Sequence, residues 1–461
     1  MSASLLEKQS TGGAIARVGF EYQDAFVLRN LPLWLSQSAF SHIVCESLSD
    51  IEVCYFSSEK SLHVMYEAKN HSLNATEFWS EIRRFKSLFD THQKDFIWFN
   101  LVCPSYNTVI TPLISKIDRL RGVGFSYDKD SSVLVNGRSE YLDWCRGKDF
   151  DLSLAEFALD YVGFITFNSE DSESIFLSEI QDTLNIELFR NQVKYLKDQF
   201  KNLISSSSSH PIYRKDFESH ICLALEDDKC QWLSQPIRIN LCSSSSYHNL
   251  NLNISDFSGS NRAHRTTKDW NNLIKKAISI GDFIHNSGER RTVFIDGKQR
   301  MSTACMLGYV FSATRNFLLE IEHNSITYRT DNHQQKDGTF FNKRESYEQQ
   351  GETEAIMTIG FPTSIGKDIE STSLGVKGLP RLNLESTNVI DSIETLNLAV
   401  RDAKSALVSF KSNNQLSKLH LFIKAPSLFA MVLGHRLNGI CDIQLYDWID
   451  GQYIPTVILQ S

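Results

Sequence analysis

The feature that most constrains the fold of this chain is a run of five serines, Ser205 to Ser209, followed by His210 and Pro211. Serine offers no apolar surface to bury, and proline stops a preceding helix. A chain of 461 residues is also too long for one ordinary hydrophobic core. We therefore predict a first domain over residues 1–204, a linker over 205–212 and a second domain over 213–461.

Composition restricts the class of protein further. The segment from Met1 to Gln9 lacks the pattern of a signal peptide, and no stretch approaches the roughly 20 apolar residues of a membrane helix. The nine cysteines are scattered without a CxxC pair, which favours reduced core thiols over zinc ligands or disulfides. These features predict a cytoplasmic protein with no membrane partner. The net charge of −8 predicts weak, salt-sensitive binding to DNA unless several copies act together.

Two carboxylates and a lysine mark a candidate catalytic centre in the first half. Asp50 opens one strand candidate, and Glu67-Ala68-Lys69 closes the next. If these strands are antiparallel, Asp50 lies close to Glu67, and the i, i+2 spacing places Lys69 on the same face as Glu67. Carboxylate oxygens suit Mg²⁺, which polarises a phosphate and acidifies an attacking water. Lys69 is placed to stabilise the charge that develops in the transition state; Glu46 is a further candidate carboxylate.

A solvated strand face would also explain Glu67 and Lys69. The order of elements favours catalysis, because a helix over about 18–35 precedes the two strands. A capping-box-like start at Asn74 to Glu77 then opens the next helix.

This order, with the opening Gly12-Gly13 and Gly19-Phe20-x-Tyr22-Gln23, resembles the PD-(D/E)xK nuclease core, a restriction-endonuclease-like domain found on many bacterial defence effectors. The resemblance implies that Asp50 and Glu67 bind the metal, that Lys69 is catalytic and that Gln23 lies beside the metal site. Many relatives carry QxK where this chain has Glu67-Ala68-Lys69; glutamate remains a good metal ligand. Without the resemblance, Gln23 would be assigned to a helix surface.

The second half contains two strand–loop–helix segments. A buried strand over 291–297 precedes a helix over 302–317, and a strand over 419–423 precedes a helix over 427–437. This repetition predicts an α/β fold with parallel strands and a duplicated Rossmann-like module. Trp270 is expected in the core, and packing is the favoured role for Trp448.

Ligands of such folds bind beyond the carboxyl ends of the strands, where helix N-termini attract phosphates. We therefore predict ligand contacts from residues between strand and helix in both halves, although ordinary loop cations would have the same pattern. The predicted residues are Lys298, Arg300 and Ser302 in the first half, with Ser302 as N-cap, and Lys424 and Ser427 in the second.

The motifs in this half resemble the SAVED domain, a fusion of two CARF-like Rossmann-type halves that binds cyclic oligonucleotides. They include 294–302, Ala425-Pro426-Ser427, 433–438 and Tyr453-Ile454-Pro455. The whole chain thus resembles SAVED-domain nuclease effectors of CBASS antiphage systems. The resemblance implies a Mg²⁺-dependent endonuclease that degrades double-stranded DNA with little sequence specificity. It also implies activation by a cyclic oligonucleotide, expected to be a cyclic trinucleotide, and self-association when that ligand binds.

Other functions fit parts of the same sequence. One alternative is a constitutive restriction-type DNA endonuclease that no nucleotide gates. Another is a nucleotide-binding scaffold with a degenerate nuclease fold, which the joint presence of Asp50, Glu67 and Lys69 disfavours. A dinucleotide-dependent oxidoreductase is poorly supported, because no GxGxxG follows a strand.

Overall fold

The computed structural model describes residues 8–92, 95–124, 126–128, 130–207, 209–242, 246–346, 353–370 and 378–461. The chain divides into two compact units, Met1–Gln231 and Trp232–Ser461. In the described residues, no helix is both long enough and apolar enough to cross a membrane.

The first unit is a six-stranded mixed sheet with helices on both faces. Its helices are α1 (Lys8–Ser36), α2 (Ala75–Thr91), α3 (Thr111–Gly124), α4 (Ser132–Gly147), α5 (Leu152–Tyr161), α6 (Ser172–Leu184), α7 (Arg190–Ser206) and α8 (Arg214–Leu225), and α9 (Cys230–Leu233) spans the division between the units. Its strands are β1 (Phe40–Cys45), β2 (Ile51–Tyr55), β3 (Leu62–Ala68), β4 (Phe96–Cys103), β5 (Val162–Thr166) and β6 (Pro211–Tyr213).

The strand order β5-β4-β3-β2-β1-β6 joins two kinds of pairing. Strands β3, β4 and β5 are parallel, whereas β1, β2 and β3 are antiparallel neighbours. The alternation of side chains along β3 decides what covers each face. Tyr66 packs on Phe26 and Trp34 of α1, and Met65 points into the core that α2 completes. The predicted α-β-β-α order and the α/β nuclease fold are confirmed.

Helix α2 begins where the sequence predicts. The Asn74 side chain accepts from the Glu77 backbone N–H, and the Glu77 side chain accepts from the Asn74 N–H. Phe78, Ile82 and Phe85, spaced for one helical face, are fully buried.

The predicted linker over 205–212 does not separate the two units. Ser205 and Ser206 end α7, and the Ser205 hydroxyl donates to the Lys201 carbonyl at 2.9 Å. Strand β6 then pairs with β1, where Pro211 is tolerated because β6 is an edge strand. In α8, Arg214 ties the helix to the end of α1 by donating to the Leu35 carbonyl at 2.7 Å. The second unit therefore begins at residue 232 instead of 213.

The second unit contains two sheets. Its helices are α10 (Thr267–Ser287), α11 (Met301–Val310), α12 (Gly366–Glu370), α13 (Ile393–Asn414) and α14 (Ser427–Gly434). Its strands are β7 (Ile237–Asn240), β8 (Leu250–Asn251), β9 (Thr292–Asp296), β10 (Leu318–His323), β11 (Ile326–Arg329), β12 (Asn342–Ser346), β13 (Glu354–Gly360), β14 (Arg381–Glu385), β15 (Lys418–Lys424), β16 (Asp442–Ile449) and β17 (Gln452–Leu459).

Each sheet has a parallel centre, as the repeated strand–helix pattern predicts. The first has the order β11-β10-β9-β7-β8, in which only β11 runs antiparallel to its neighbour among the described strands. The second has the order β12-β14-β13-β15-β16-β17, with antiparallel strands at both edges. The prediction of two fused Rossmann-like halves is confirmed.

Helices α11 and α14 hold equivalent positions in the two halves and pack directly on each other. A Cβ on Gly308 would lie 1.9 Å from the Met431 carbonyl oxygen, and one on Gly434 would lie 2.1 Å from that of Cys305. Only glycine permits this backbone approach. Helix α11 ends at Val310, before the predicted Phe317, and Trp270 is buried as predicted.

Candidate nuclease centre and ligand cavity

The antiparallel pairing of β2 and β3 brings the predicted catalytic residues together. Ile51 pairs with Tyr66, so Asp50 lies beside the end of β3. There, Asp50 Oδ2 accepts from the Ala68 backbone N–H at 2.7 Å. Glu67 is buried on the same part of the sheet. The local strand register therefore fixes the position of Asp50 relative to Glu67.

Glu67 lies between two cations. Lys69 Nζ donates to Glu67 Oε1 at 2.7 Å and lies 3.2 Å from Glu81 Oε1, and the Arg84 guanidinium contacts Glu67 Oε2. Burial lowers the pKa of the Lys69 ammonium, but its pairing with Glu67 and Glu81 outweighs burial and raises the pKa overall. Lys69 is therefore protonated and held at the carboxylates.

Glu46, in the turn after β1, and Gln23, on α1, complete this cluster. Gln23 hydrogen-bonds the Glu46 carboxylate, so the predicted proximity of Gln23 to the carboxylates is observed. Glu46 has a φ of 61°, a strained conformation for glutamate, which places it in the turn between β1 and β2. Asp24 lies near Glu46. Burial is the main cause that raises the pKa of Asp24 to about 6, and the charge of Glu46 also raises it. Sequence reasoning missed Asp24, although it directly follows Gln23 on the helix.

Burial and neighbouring carboxylates disfavour the charged forms of Asp50 and Glu46. Burial and the charge of Glu67 raise the pKa of Asp50 to about 7, and Glu46 adds to this effect. Burial and Glu67 likewise raise the pKa of Glu46. Clustered carboxylates with raised pKa values are stabilised by a cation.

The donor set fits a hard divalent cation. Glu46 Oε1 is buried and has no hydrogen-bond partner among the described residues, so it is available as a metal ligand. Asp50, Glu67 and Glu46 together offer the oxygen ligands that Mg²⁺ prefers. Such an ion would replace the contact between Arg84 and Glu67. The Arg84 side chain is 36% exposed.

A second candidate site lies in the other unit, at the carboxyl ends of β9 and β15. A cavity of about 360 Å³ is lined by Arg262, Gln299, Arg300, Met301, Asp368, Ile423, Lys424, Ala425, Asp447, Trp448 and Tyr453. Arg300 belongs to the loop before α11 and Lys424 to the end of β15. The two halves thus bring two predicted ligand-binding cations to one cavity.

Neighbouring groups hold Lys424 and Arg262 at the cavity wall. Lys424 Nζ lies 2.7 Å from Asp368 Oδ2. Arg262 donates to the Trp448 carbonyl at 2.8 Å, and its Nε lies 3.5 Å from Asp447 Oδ2. Burial raises the pKa of Asp447, which also accepts from the Ser302 backbone N–H at 3.0 Å. The wall therefore combines the cations Arg262, Arg300 and Lys424 with the carboxylates Asp368 and Asp447.

The structure does not bring the remaining predicted residues to this cavity. Lys298 lines a separate cavity of about 230 Å³ with Arg238, Phe294, Asp296, Glu322, Asn324 and Ser325. Ser302 is buried inside α11, and Arg300, without a side-chain cap, is the N-cap residue in place of the predicted Ser302. The Ser427 hydroxyl donates to the Gly297 carbonyl. The two serines thus hold the loops and helices together.

Sequence reasoning missed Arg262 and Asp447. Arg262 lies in an irregular segment before α10, far in sequence from the strand–helix motifs. Asp447 lies on β16, and its role becomes visible only because β16 runs beside α11.

Family models match both units. The model described as "Cap4, dsDNA endonuclease domain" matches residues 11–208, and the model of the SAVED domain, "SMODS-associated and fused to various effectors sensor domain", matches residues 278–459. The chain is therefore a double-stranded DNA endonuclease domain joined to a SAVED sensor domain.

Similar proteins span the full length. CD-NTase-associated protein 4 of Acinetobacter sp. (strain ATCC 27244 / 9458) is 82% identical, and that of Moraxella osloensis is 69% identical; each match covers 100% of both chains. The chain belongs to the CD-NTase-associated protein 4 (Cap4) family.

Solved structures agree in fold. The Acinetobacter baumannii Cap4 SAVED/CARF-domain containing receptor with the cyclic trinucleotide 3'3'3'-cAAA is 79% identical, with a TM-score of 0.91, over 96% of this chain and 99% of that chain. The Moraxella osloensis Cap4 SAVED/CARF-domain containing receptor is 64% identical, with a TM-score of 0.86, over 96% of this chain and 100% of that chain.

Proposed function

We propose that this protein is a Mg²⁺-dependent antiphage effector that degrades double-stranded DNA when a cyclic trinucleotide binds its SAVED domain. The observation that carries the proposal is the meeting of Arg300 and Lys424, one from each Rossmann-like half, at one cavity. The cyclic trinucleotide bound to the 79% identical receptor supports this ligand class.

In the nuclease domain, Asp50, Glu67 and Glu46 would hold the metal ion. When bound, Mg²⁺ supplies Lewis-acid polarisation of the phosphate and a more acidic water. Lys69 is the catalytic cation, because its ammonium is held at Glu67 and can stabilise charge on the phosphate oxygens. Gln23, through its hydrogen bond to Glu46, positions that carboxylate.

In the SAVED domain, Arg300, Lys424 and Arg262 bind the phosphates of the ring. Their charges line the cavity from different elements, which suits a ligand that carries several phosphates. Trp448 also lines this cavity with an exposed indole, and an aromatic face there can stack on a base.

Ligand binding then drives self-association. The chain is acidic overall, so one copy binds DNA weakly, and several copies together convert weak contacts into a tight one. Nothing in the sequence resembles a base-reading motif, so we expect little sequence specificity. We place this activity in the cytoplasm, where reduced cysteines and phage DNA coexist.

The ligand site is tested by substitutions at the cavity. We expect Arg300→Ala and Lys424→Ala each to weaken binding of 3'3'3'-cAAA about tenfold or more, because each removes a charge-assisted phosphate contact of about 1.5–3 kcal/mol. Calorimetric titration of the full chain measures the dissociation constants.

Lys298→Ala distinguishes the cavity that contains Arg300 and Lys424 from the separate cavity that Lys298 lines. Lys298 lies in a separate cavity, so we expect its removal to change the affinity less than either cavity substitution. A larger loss for Lys298→Ala than for Arg300→Ala would place the ligand elsewhere. Unchanged binding in both cavity variants would refute the proposed site.

A further inference from the structure

A second cluster of metal-ligating side chains lies on the sheet of the nuclease domain. Glu52 and Cys54 are two residues apart on β2 and therefore point to the same face. The register pairs Cys54 with His63 on β3, which puts the imidazole beside the thiol. These three residues lie farther along the β2–β3 pair than Asp50 and Glu67, and the nuclease centre does not use them.

The distances within the cluster suit a tetrahedral ion. Cys54 Sγ lies 3.4 Å from His63 Nδ1 and 3.9 Å from Glu52 Oε1, and His63 Nδ1 lies 2.5 Å from Glu52 Oε1. Two donors bound tetrahedrally to one Zn²⁺ at bonds of about 2.0–2.3 Å lie about 3.3–3.7 Å apart. The two sulfur distances already fall near this range. Only the hydrogen-bonded pair of Glu52 and His63 must separate, by about 1 Å.

The surroundings favour a cation over an isolated thiol. Cys54 and Glu52 are both buried, and the Cys54 thiol donates to Glu52 Oε1. A metal ion at this position would replace the protons that the three donors share. The His63 side chain is 24% exposed and gives the cluster an opening to solvent.

The ligand types select the metal. A thiolate, an imidazole and a single carboxylate are soft and borderline donors that favour Zn²⁺, whereas Mg²⁺ prefers all-oxygen sites. We propose that Glu52, Cys54 and His63 form a zinc site that cross-links β2 and β3, separate from the nuclease metal centre, with water in the fourth position.

This assignment departs from the expectation based on cysteine spacing. The absence of a CxxC pair favours reduced core thiols, and that pattern detects only zinc ligands that are close in sequence. Here the ligands come from two strands, and the strand register brings them together. A lone cysteine can therefore contribute to the site.

The test uses Co²⁺ as a spectroscopic probe on the full chain, stripped of metal and kept in excess Mg²⁺ to saturate the nuclease centre. We expect wild-type protein to bind one Co²⁺ per chain with a near-ultraviolet thiolate-to-cobalt band and the visible bands of a tetrahedral ion. Equimolar Zn²⁺ should displace Co²⁺ and raise the melting temperature, since an ion that binds only the folded state stabilises it.

Three variants locate the ion. Cys54→Ser should abolish the thiolate band. Cys230→Ser, which removes an exposed thiol, and Glu67→Gln at the nuclease centre should both retain it. The proposal is overturned if the wild-type protein lacks the band, if Cys54→Ser keeps it, or if Glu67→Gln loses it. Because the wild-type titration decides on its own, a variant that fails to fold leaves the test intact.

Discussion

At the scale of single residues, the nuclease domain places several carboxylates close together at its partly buried centre. Burial disfavours ionisation of Asp50 and Glu46, the charge of Glu67 adds to the effect at both residues, and the charge of Glu46 adds to it at Asp50. This arrangement costs stability in the absence of a divalent cation and favours binding of one when it is present. Metal affinity and folded-state stability are therefore linked through the same carboxylates.

This linkage predicts the effect of Asp50→Asn on stability. The pKa of Asp50 is raised from 3.8 to about 7, so its contribution to stability is fully present below about pH 4 and is lost as the pH rises through about 7. In EDTA at pH 8, we expect Asp50→Asn to be more stable than wild type by up to about 4 kcal/mol. The amide oxygen can still accept from the Ala68 N–H.

Urea unfolding in EDTA at pH 8 and pH 4 measures this difference, which should shrink at the lower pH. Asp90→Asn is the matched control, because Asp90 is exposed on α2 and is paired with Lys86. A variant less stable than wild type at pH 8 would contradict the account. Added Mg²⁺ should stabilise wild type more than Asp50→Asn.

Much of the nuclease centre could be predicted from sequence because its key geometry is local. One antiparallel pairing and one i, i+2 step determine how Asp50, Glu67 and Lys69 meet. The contribution of Asp24 could not be predicted, because it depends on how α1 packs on the sheet. In the SAVED domain, the positions of Arg262 and Asp447 could not be predicted for the same reason. The Lys298 side chain lines a cavity separate from the one that contains Arg300 of the same loop.

At the scale of elements, the joining of the two SAVED halves depends on the contact between α11 and α14. Both helices follow a central parallel strand, and each carries a glycine where the partner's backbone approaches. These helices also begin next to the ligand cavity, at Arg300 and Pro426. The contact therefore fixes the spacing between the cations of the two halves.

Gly308→Ala tests this contact. The added Cβ would lie 1.9 Å from the Met431 carbonyl oxygen, a backbone atom that cannot rotate away. We expect a loss of at least about 1–3 kcal/mol of unfolding free energy and a weaker affinity for the ring, because the helices must separate. Urea unfolding and calorimetric titration measure the two effects.

The control is Gly366→Ala, whose Cβ would meet only the Ser364 hydroxyl at 3.7 Å. Equal stability of the Gly308 variant and wild type would show that the helices can separate without cost.

The parallel sheets could be predicted at this scale, because buried apolar strands alternate with helices in the sequence. The domain boundary could not be predicted from the sequence. Polyserine is a poor core segment, but Ser205 and Ser206 end a helix by bonding to its carbonyls, and the following residues add an edge strand. The pairing of β6 with β1 therefore determines the structure here, although the local composition predicts a linker.

At the scale of the whole molecule, the net charge of −8 opposes DNA binding by a single copy. We therefore propose that self-association is the step that converts ligand binding into cleavage. Because the contribution of each copy depends on salt, the activity of an assembly should fall steeply as ionic strength rises.

Ligand-induced assembly is measured by size-exclusion chromatography with light scattering. We expect saturating cyclic trinucleotide to convert wild-type protein to a larger species, whereas Arg300→Ala requires more ligand. An unchanged mass for wild type at a ligand concentration that calorimetry shows to be saturating would contradict assembly as the activating step.

The central claim is most directly tested by cleavage of plasmid DNA with purified protein and Mg²⁺, with and without a panel of cyclic di- and trinucleotides. We predict degradation only with a cyclic trinucleotide. Lys69→Ala should lose about 10²–10³-fold in rate, whereas Lys86→Ala, a lysine of similar exposure paired with Asp90, should keep its activity. Cleavage without any ring would contradict gating and favour a constitutive restriction-type enzyme, and no cleavage under any condition would favour a nucleotide-binding scaffold.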